Sequence, residues 1–452
     1  MIPGLDQSID IENPSSNTST TRGVGMIDRD YGRSLLKKGI WVYFILLIFE
    51  GALRKWVLPG LATPLLVVRD PVAIWLLFTA WKYDEFPSNN YVWGMSFIGV
   101  IAIFTALAFG HGSAVVALYG ARILLFHFPL IFLIGRIFNQ DDVLRMAKVV
   151  LVIAVPMFFL IALQFYSPQS SWINRGIGGD VEGGGFSGAL GYFRPPGTFS
   201  FTTGNSQFFG LVGAIVIYFW LNPARISRLL LLAATISLTA AIPLSISRYL
   251  FYQIGLSILF ATLSIIRQPK YLGRLLLAGV GLVIIVAILS RASFFSNAIE
   301  ALSSRFSVAS DNESSAGEDS FSGRFLAGFF EPFQSPNFPF FGLGIGMGTN
   351  AGAQLLVGHA DEFLISEGEW GRLIGEMGAI MGITAILIRV SICIRLVIES
   401  YKKLLKNDLL PWILLSVSLL SIAQGQWAQP TALGFAVVVG GLSIASLKEG
   451  YS

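Results

Sequence analysis

Isolated arginines are the first residues in this chain with chemistry to offer. Arg175, Arg194, Arg248, Arg291, Arg305, Arg324 and Arg372 each stand apart from any lysine. A guanidinium grips phosphate bidentately and keeps its charge when partly desolvated. The set therefore points to a pyrophosphate-bearing ligand. Arg194 sits in Phe193-Arg194-Pro195-Pro196-Gly197-Thr198-Phe199, where two prolines stiffen the backbone before an apolar run. Arg248 lies in Ser245-Ile246-Ser247-Arg248-Tyr249, a very short link between two apolar runs. A charge there is pinned near the membrane surface, as a ligand contact or as a snorkelling or capping residue. Arg324 follows Ser322-Gly323.

A second group lies further on: His359, Asp361, Glu362, Glu367, Glu369, Arg372 and Glu376. Glu369, Arg372 and Glu376 are spaced i, i+3 and i+7, so they share one helical face. A carboxylate beside an arginine at a membrane surface suits a general base for a sugar hydroxyl. Glu369, Glu367 and His359 are the catalytic candidates, with Arg194, Arg248, Arg324 and Arg372 for substrate. The bland alternative is a helix start, where acids are favoured anyway. Between 340 and 348, glycine alternates four times, at Gly342, Gly344, Gly346 and Gly348. Such a run brings backbone N–H groups close to a ligand, which makes Gly344 and Gly346 substrate-binding candidates; tight helix packing is the alternative. No Lys-Ser/Thr follows it, so it is not a P-loop.

Inside apolar runs lie Glu50 and Arg54 at i, i+4, Arg69 and Asp70 before Pro71, and Arg122 with His127. These are costly in lipid and must face the protein interior or a wet cavity. The Glu50–Arg54 pair reads as structural. Trp172, Tyr192, Trp370 and Trp427 suit stacking on sugar rings, although Trp and Tyr belong at membrane interfaces in any case.

The elements that position these residues follow from composition. Of 452 residues, 54% are hydrophobic and only 13% charged. A soluble domain carries about a quarter charged residues, so this chain must face lipid. No basic stripe exists for nucleic acid. Cys393 is the single cysteine, and His111, His127 and His359 are scattered. No disulfide, metal-ligand spacing or cofactor motif is present. A spanning helix needs about 20 mostly apolar residues. Such runs fall at 40–58, 64–81, 92–110, 114–135, 149–166, 204–221, 229–246, 249–266, 274–290, 372–397, 409–425 and 430–447. The expected fold is all-α, a polytopic membrane protein of about 12 transmembrane helices.

Orientation follows from lysine and arginine near the helix ends. Arg33, Lys37 and Lys38 precede the first run, placing the N-terminus inside. Alternation then predicts basic cytoplasmic turns at Lys82, Arg136–Lys148, Arg225–Arg228, Arg267–Arg274 and Lys402–Lys406, and Lys448 ends inside. Every lysine but Lys55 obeys. Residues 1–39 read as a cytoplasmic tail, partly disordered. Residues 40–290 hold helices 1–9, interrupted by a glycine-rich periplasmic loop at 167–203. A large periplasmic loop fills 291–371, with amphipathic pieces expected at 294–306 and 321–334. Residues 372–447 hold helices 10–12, and 448–452 form a cytoplasmic C-terminus.

This layout resembles the O-antigen ligase and O-antigen polymerase superfamily of bacterial membrane glycosyltransferases. The resemblance covers most of the chain from about 190 onward. It rests on Arg194-Pro-Pro-Gly-Thr-Phe before a helix, Ser247-Arg248 in a short outer turn, and a large outer loop between the ninth and tenth helices. Ser322-Gly323-Arg324, the glycine segment at 341–346 and Glu376-x-Gly378-x-x-x-Gly382 complete the ordered set. Phe49-Glu50-Gly51-Ala52-Leu53-Arg54-Lys55-Trp56 looks like a subgroup associated with exopolysaccharides. The resemblance implies a GT-C-like architecture in the bacterial inner membrane. It also implies a metal-independent, inverting transfer from an undecaprenyl-pyrophosphate-linked glycan, with Arg194 and Arg248 on the pyrophosphate and Arg324 assisting. A flippase or chain-length regulator would be a partner. Ligases of this family carry a His-Asn pair shortly before Glu-x-Gly. Here His359 is followed by Ala360 and lies further upstream, which favours a polymerase over a ligase. The rival of a different class is a transporter or flippase of a lipid-linked saccharide.

Overall fold

The computed structural model describes residues 19–291, 293–315, 339–357 and 368–448. His359, Glu367, Arg324 and the 321–334 piece lie outside the described residues.

Each expected apolar run forms a helix. The first, α1, is Ser19–Ala52, continued by a π-helical turn at Leu53–Val57. Then come α2 (Arg69–Lys82), α3 (Asn90–Ala108) and α4 (Ala114–Arg122), which runs through a second π-turn at Ile123–His127 into α5 (Phe128–Ile137). The long α6 is Gln140–Tyr166. A short antiparallel hairpin follows, β1 (Phe186–Ala189) with β2 (Tyr192–Arg194). Next are α7 (Thr202–Leu221), α8 (Arg228–Leu244), α9 (Arg248–Arg267), α10 (Leu272–Leu289) and α11 (Ser293–Ser315). The chain closes with α12 (Asn350–Val357), α13 (Glu369–Leu405), α14 (Leu410–Ala423) and α15 (Pro430–Ser446). The protein is all-α apart from that hairpin among the described residues.

Eight helical stretches are long and apolar enough to cross a membrane, and three shorter apolar helices are α8, α14 and α15. The chain is a membrane protein. Its best-buried span is Thr202–Leu221, 89% inside the protein, whereas none of the described side chains in the apolar window of Pro269–Leu289 is fully buried. So α7 is the axis of the bundle and α10 stands at the lipid-facing rim.

The basic turns gather at one end. Arg33 and Arg136 both donate to the Glu85 carboxylate, at 2.6 and 2.8 Å. Lys37 pairs with Asp142 at 2.6 Å, Gln140 donates to Asp408 at 2.7 Å, and Lys270 donates to Asn407 at 2.8 Å. Lys448 donates to the Phe138 carbonyl at 3.1 Å. The hairpin, the α8–α9 turn, α11 and the glycine segment lie at the opposite end.

Lys55 departs from the lysine pattern for a physical reason. It is 1% exposed, and its ammonium donates to the carbonyls of Gly197 at 2.7 Å and Phe199 at 2.9 Å. It acts as an internal clamp, so it carries no information about which side its helix end faces.

Candidate functional site

Arg194 emerges from a segment held on every side. Gly197, at φ +62°, lets the chain turn after the two prolines. Its N–H donates to Gln164 Oε1 at 2.7 Å. Asn205 donates to the Pro195 carbonyl at 3.2 Å, Thr198 Oγ1 to the Ile48 carbonyl at 2.6 Å, and Arg54 to Ser200 Oγ at 2.9 Å. With Lys55 these bonds fix residues 195–200 against α1, α6 and α7. The side chain at 194 therefore starts from a rigid base.

Arg248 begins α9. Ser247 caps the helix, accepting from the Leu250 N–H at 3.3 Å, and its hydroxyl accepts from Ser206 at 2.8 Å. The turn before it is tight, with Ile246 at φ +45°. The hairpin rests on this turn: a Cβ on Gly188 would lie 2.7 Å from Ile246 Cδ1 and 3.4 Å from Arg194 Cγ.

Arg305 completes the group. On α11, Phe295, Ala298 and Ala301 are buried. Arg305 follows at helical spacing, so it lies on the same packed face. It donates to the Gly188 carbonyl at 3.3 Å. Three separate elements thus converge three guanidiniums. Arg194 feels them: burial first, then the charges of Arg305 and Arg248, push its pKa below the ordinary guanidinium value. Its Nε is buried with no hydrogen-bond partner. A cluster of like charges with an orphaned donor has the chemistry to hold an anion.

The glycine segment does something else. Leu343 N–H donates to the Gly375 carbonyl at 2.8 Å, and Gly344 N–H to the Glu376 carbonyl at 2.9 Å. Gly348 N–H donates to Glu376 Oε1 at 2.8 Å. Gly342, Gly344 and Gly346 all have positive φ, and a Cβ on Gly346 would lie 2.2 Å from the Val116 carbonyl oxygen. The contacts at Gly344 and Gly346 are those of the tight-packing alternative. The Gly344 N–H is spent within the protein, and Gly346 is pressed against α4. The segment fastens the α3–α4 turn to α13, where Gly378 breaks helical geometry at φ +76° and ψ +171°. The glycine run and the Glu376-x-Gly378 pair are one structural unit.

Glu369 and Arg372 are likewise bound up inside. Glu369 Oε1 accepts from Arg372 Nη2 at 2.9 Å and from Arg389 Nη1 at 2.6 Å; Oε2 accepts from Arg372 Nε at 3.0 Å. Arg372 Nη1 donates to Glu376 Oε2 at 2.6 Å. All four residues are buried. Both Glu369 oxygens are taken by guanidiniums, so the geometry is that of an ion-pair network, not of a base facing a hydroxyl. Arg372 is likewise spent on carboxylates and does not join the arginine cluster. The sequence reading missed Arg389, which arrives from further along α13 and stacks 3.7 Å over the Trp427 ring.

The aromatic candidates divide the same way. Trp427 is buried under Arg389, Tyr192 stacks on Phe165 at 4.6 Å, and Trp370 donates to the Ala423 carbonyl. Trp172 is exposed and stacks on Trp56 at 5.7 Å.

No family model matches the chain, and no curated protein matches it.

Proposed function

We propose that this protein is an inner-membrane polysaccharide polymerase, a metal-independent inverting glycosyltransferase that joins undecaprenyl-pyrophosphate-linked repeat units at the periplasmic face. The observation that carries this reading is the convergence of Arg194, Arg248 and Arg305 from a rigid hairpin, a helix start and an amphipathic helix. In the reaction, an acceptor sugar hydroxyl attacks the donor's anomeric carbon and the glycosidic phosphate bond breaks. The electron pair leaves with the lipid pyrophosphate, and the hydroxyl proton passes to solvent or a nearby base. Negative charge grows on the leaving oxygen, where fixed guanidiniums are worth most. The α9 N-terminus beside Arg248 adds oriented N–H groups to the same task.

The lysine-rich end is then cytoplasmic and the arginine end periplasmic, with both termini inside. Twelve crossings result when α1, α8, α14 and α15 join the eight long apolar stretches, giving a GT-C-like membrane domain.

Purified protein supplied with undecaprenyl-pyrophosphate oligosaccharide tests the reading. Longer lipid-linked chains that vanish with Arg248→Ala support it. If the lipid binds but neither chain growth nor transfer to an added acceptor occurs, the reading fails. Transfer to a lipid acceptor without chain growth would make the protein a ligase.

A further inference from the structure

A second cluster of buried charge lies on α1, α2 and α4, joined among the described residues to the segment behind Arg194 only through the Arg54 bond to Ser200. Glu50 and Arg54 come from the end of α1, Arg69 and Asp70 from the start of α2, and Arg122 from the end of α4. Arg69 Nε donates to Glu50 Oε2 at 3.0 Å, with Arg54 Nη1 3.7 Å from Oε1. Arg122 Nη1 donates to Asp70 Oδ1 at 2.7 Å, and His127 Nε2 lies 2.8 Å from the same oxygen. Tyr43 joins His127 Nδ1 at 2.9 Å.

The charges do not balance. Three guanidiniums face two carboxylates, and His127 adds no negative charge in either protonation state. An uncompensated charge inside a membrane domain is expensive. One donor is also idle: Arg122 Nε is buried without a partner, although the residue is only 6% exposed. The Arg122 guanidinium lies 4.0 Å over the Tyr119 ring, and Tyr119 is within electrostatic reach of Arg54 as well. The cluster is not sealed. The Asp70 side chain is 15% exposed and Tyr119 is half-buried. Both helices change to a π-turn here, at Leu53–Val57 and Ile123–His127. Such turns are rare and recur at functional sites.

We infer that Arg122 and Tyr119 form a second anion site, which takes the carboxylate of an acidic sugar in the glycan substrate. The inference rests on the glycosyltransferase reading for its substrate class. A single excess positive charge matches a monoanionic carboxylate better than a phosphate dianion, and the guanidinium fork fits carboxylate geometry. The tyrosine ring offers a face to the sugar.

The test is the thermal-unfolding midpoint of the full-length protein in detergent. It is measured with sodium glucuronate, glucose, inorganic phosphate, and sodium chloride at equal ionic strength. Glucuronate should raise the midpoint beyond glucose and chloride, and beyond phosphate once the other arginine group is broken by Arg194→Ala. Arg122→Lys keeps a cation opposite Asp70 but deletes the idle N–H and the fork, and should weaken glucuronate about tenfold or more. Arg194→Ala, which breaks the other arginine group, should leave the glucuronate shift intact and keeps the test decisive where Arg122→Lys does not fold. The inference is overturned if glucuronate does no more than chloride, if phosphate outdoes it in Arg194→Ala, where the other arginine group is broken, if Arg122→Lys binds equally well, or if Arg194→Ala abolishes the shift. None of these readings requires chain growth, so failure of the polymerase assay is a separate result.

Discussion

Lys55 reaches across from the end of the first helix to hold the Gly197 carbonyl, three residues beyond Arg194, at 2.7 Å. It takes the Phe199 carbonyl as well, at 2.9 Å. One buried ammonium thus braces the segment that carries the candidate pyrophosphate arginine. Lys55→Met removes the donor while keeping the stem's packing; it strands the Phe199 carbonyl and leaves the Gly197 carbonyl only its bond from Gln164 Nε2 at 3.2 Å. An unsatisfied buried polar group costs about 1–3 kcal/mol. The expected outcome is a loss of about 2 kcal/mol or more in denaturant unfolding. Transfer should suffer in kcat more than in KM, because Arg194 still binds but is less well aimed.

Arg305 carries the second prediction. Arg305→Gln keeps a polar side chain on the same helical face but is shorter, so it gives up the contact to Gly188 and removes one of three converging charges. Donor transfer should fall about 10- to 100-fold, by analogy with deletion of one transition-state donor. Stability should change little, since relieving repulsion on Arg194 offsets the lost contact. Equal loss of activity and of folded protein would show that Arg305 serves structure alone.

How much of this was legible beforehand depends on the kind of signal. The apolar runs were, because lipid demands some 20 residues of hydropathy whatever the tertiary contacts. Glu369 and Arg372 were placed on one face by their spacing. Arg389 was not, because its approach depends on the break at Gly378, where helical spacing stops being a guide. Arg305 left a readable trace, the spacing of Phe295, Ala298 and Ala301 before it. By itself that pattern fits a helix lying in the membrane interface as well as one packed on protein. Only the hairpin, whose position no local pattern encodes, shows that the face is covered by protein. The glycine run announced positive φ, but whether a ligand or α4 fills the space is a question of three-dimensional packing.

Glu85 gives a pH prediction at the lysine-rich end. Burial raises its pKa, but hydrogen bonds from Arg136 and Arg33 outweigh burial, and the net shift is downward. A depressed carboxylate contributes stability above its unfolded pKa and loses it as pH falls through the folded value. Acid unfolding should therefore include a proton uptake below about pH 4.5, near the ordinary carboxylate range. Glu85→Gln should lower stability at pH 7 and remove that part of the acid limb. An unchanged acid profile in Glu85→Gln would mean that other carboxylates govern it.

Glu369 separates two roles that one substitution usually confuses. Held by Arg372 and Arg389, it balances one of two buried guanidinium charges, and Glu376 balances the other. Glu369→Gln keeps the shape and some hydrogen bonding but leaves that positive charge uncompensated. Breaking a buried pair in this way costs about 3–5 kcal/mol, so the variant should unfold earlier or accumulate poorly. A double variant, Glu369→Gln with Arg389→Met, removes one charge of each sign and should recover much of that loss. If Glu369 were instead the base that takes the acceptor proton, the single variant would fold normally, bind donor normally and fail only in transfer. The double variant would then recover nothing. Stability and transfer measured on both proteins decide between a carboxylate that holds α13 to the loop before α15 and one that reacts.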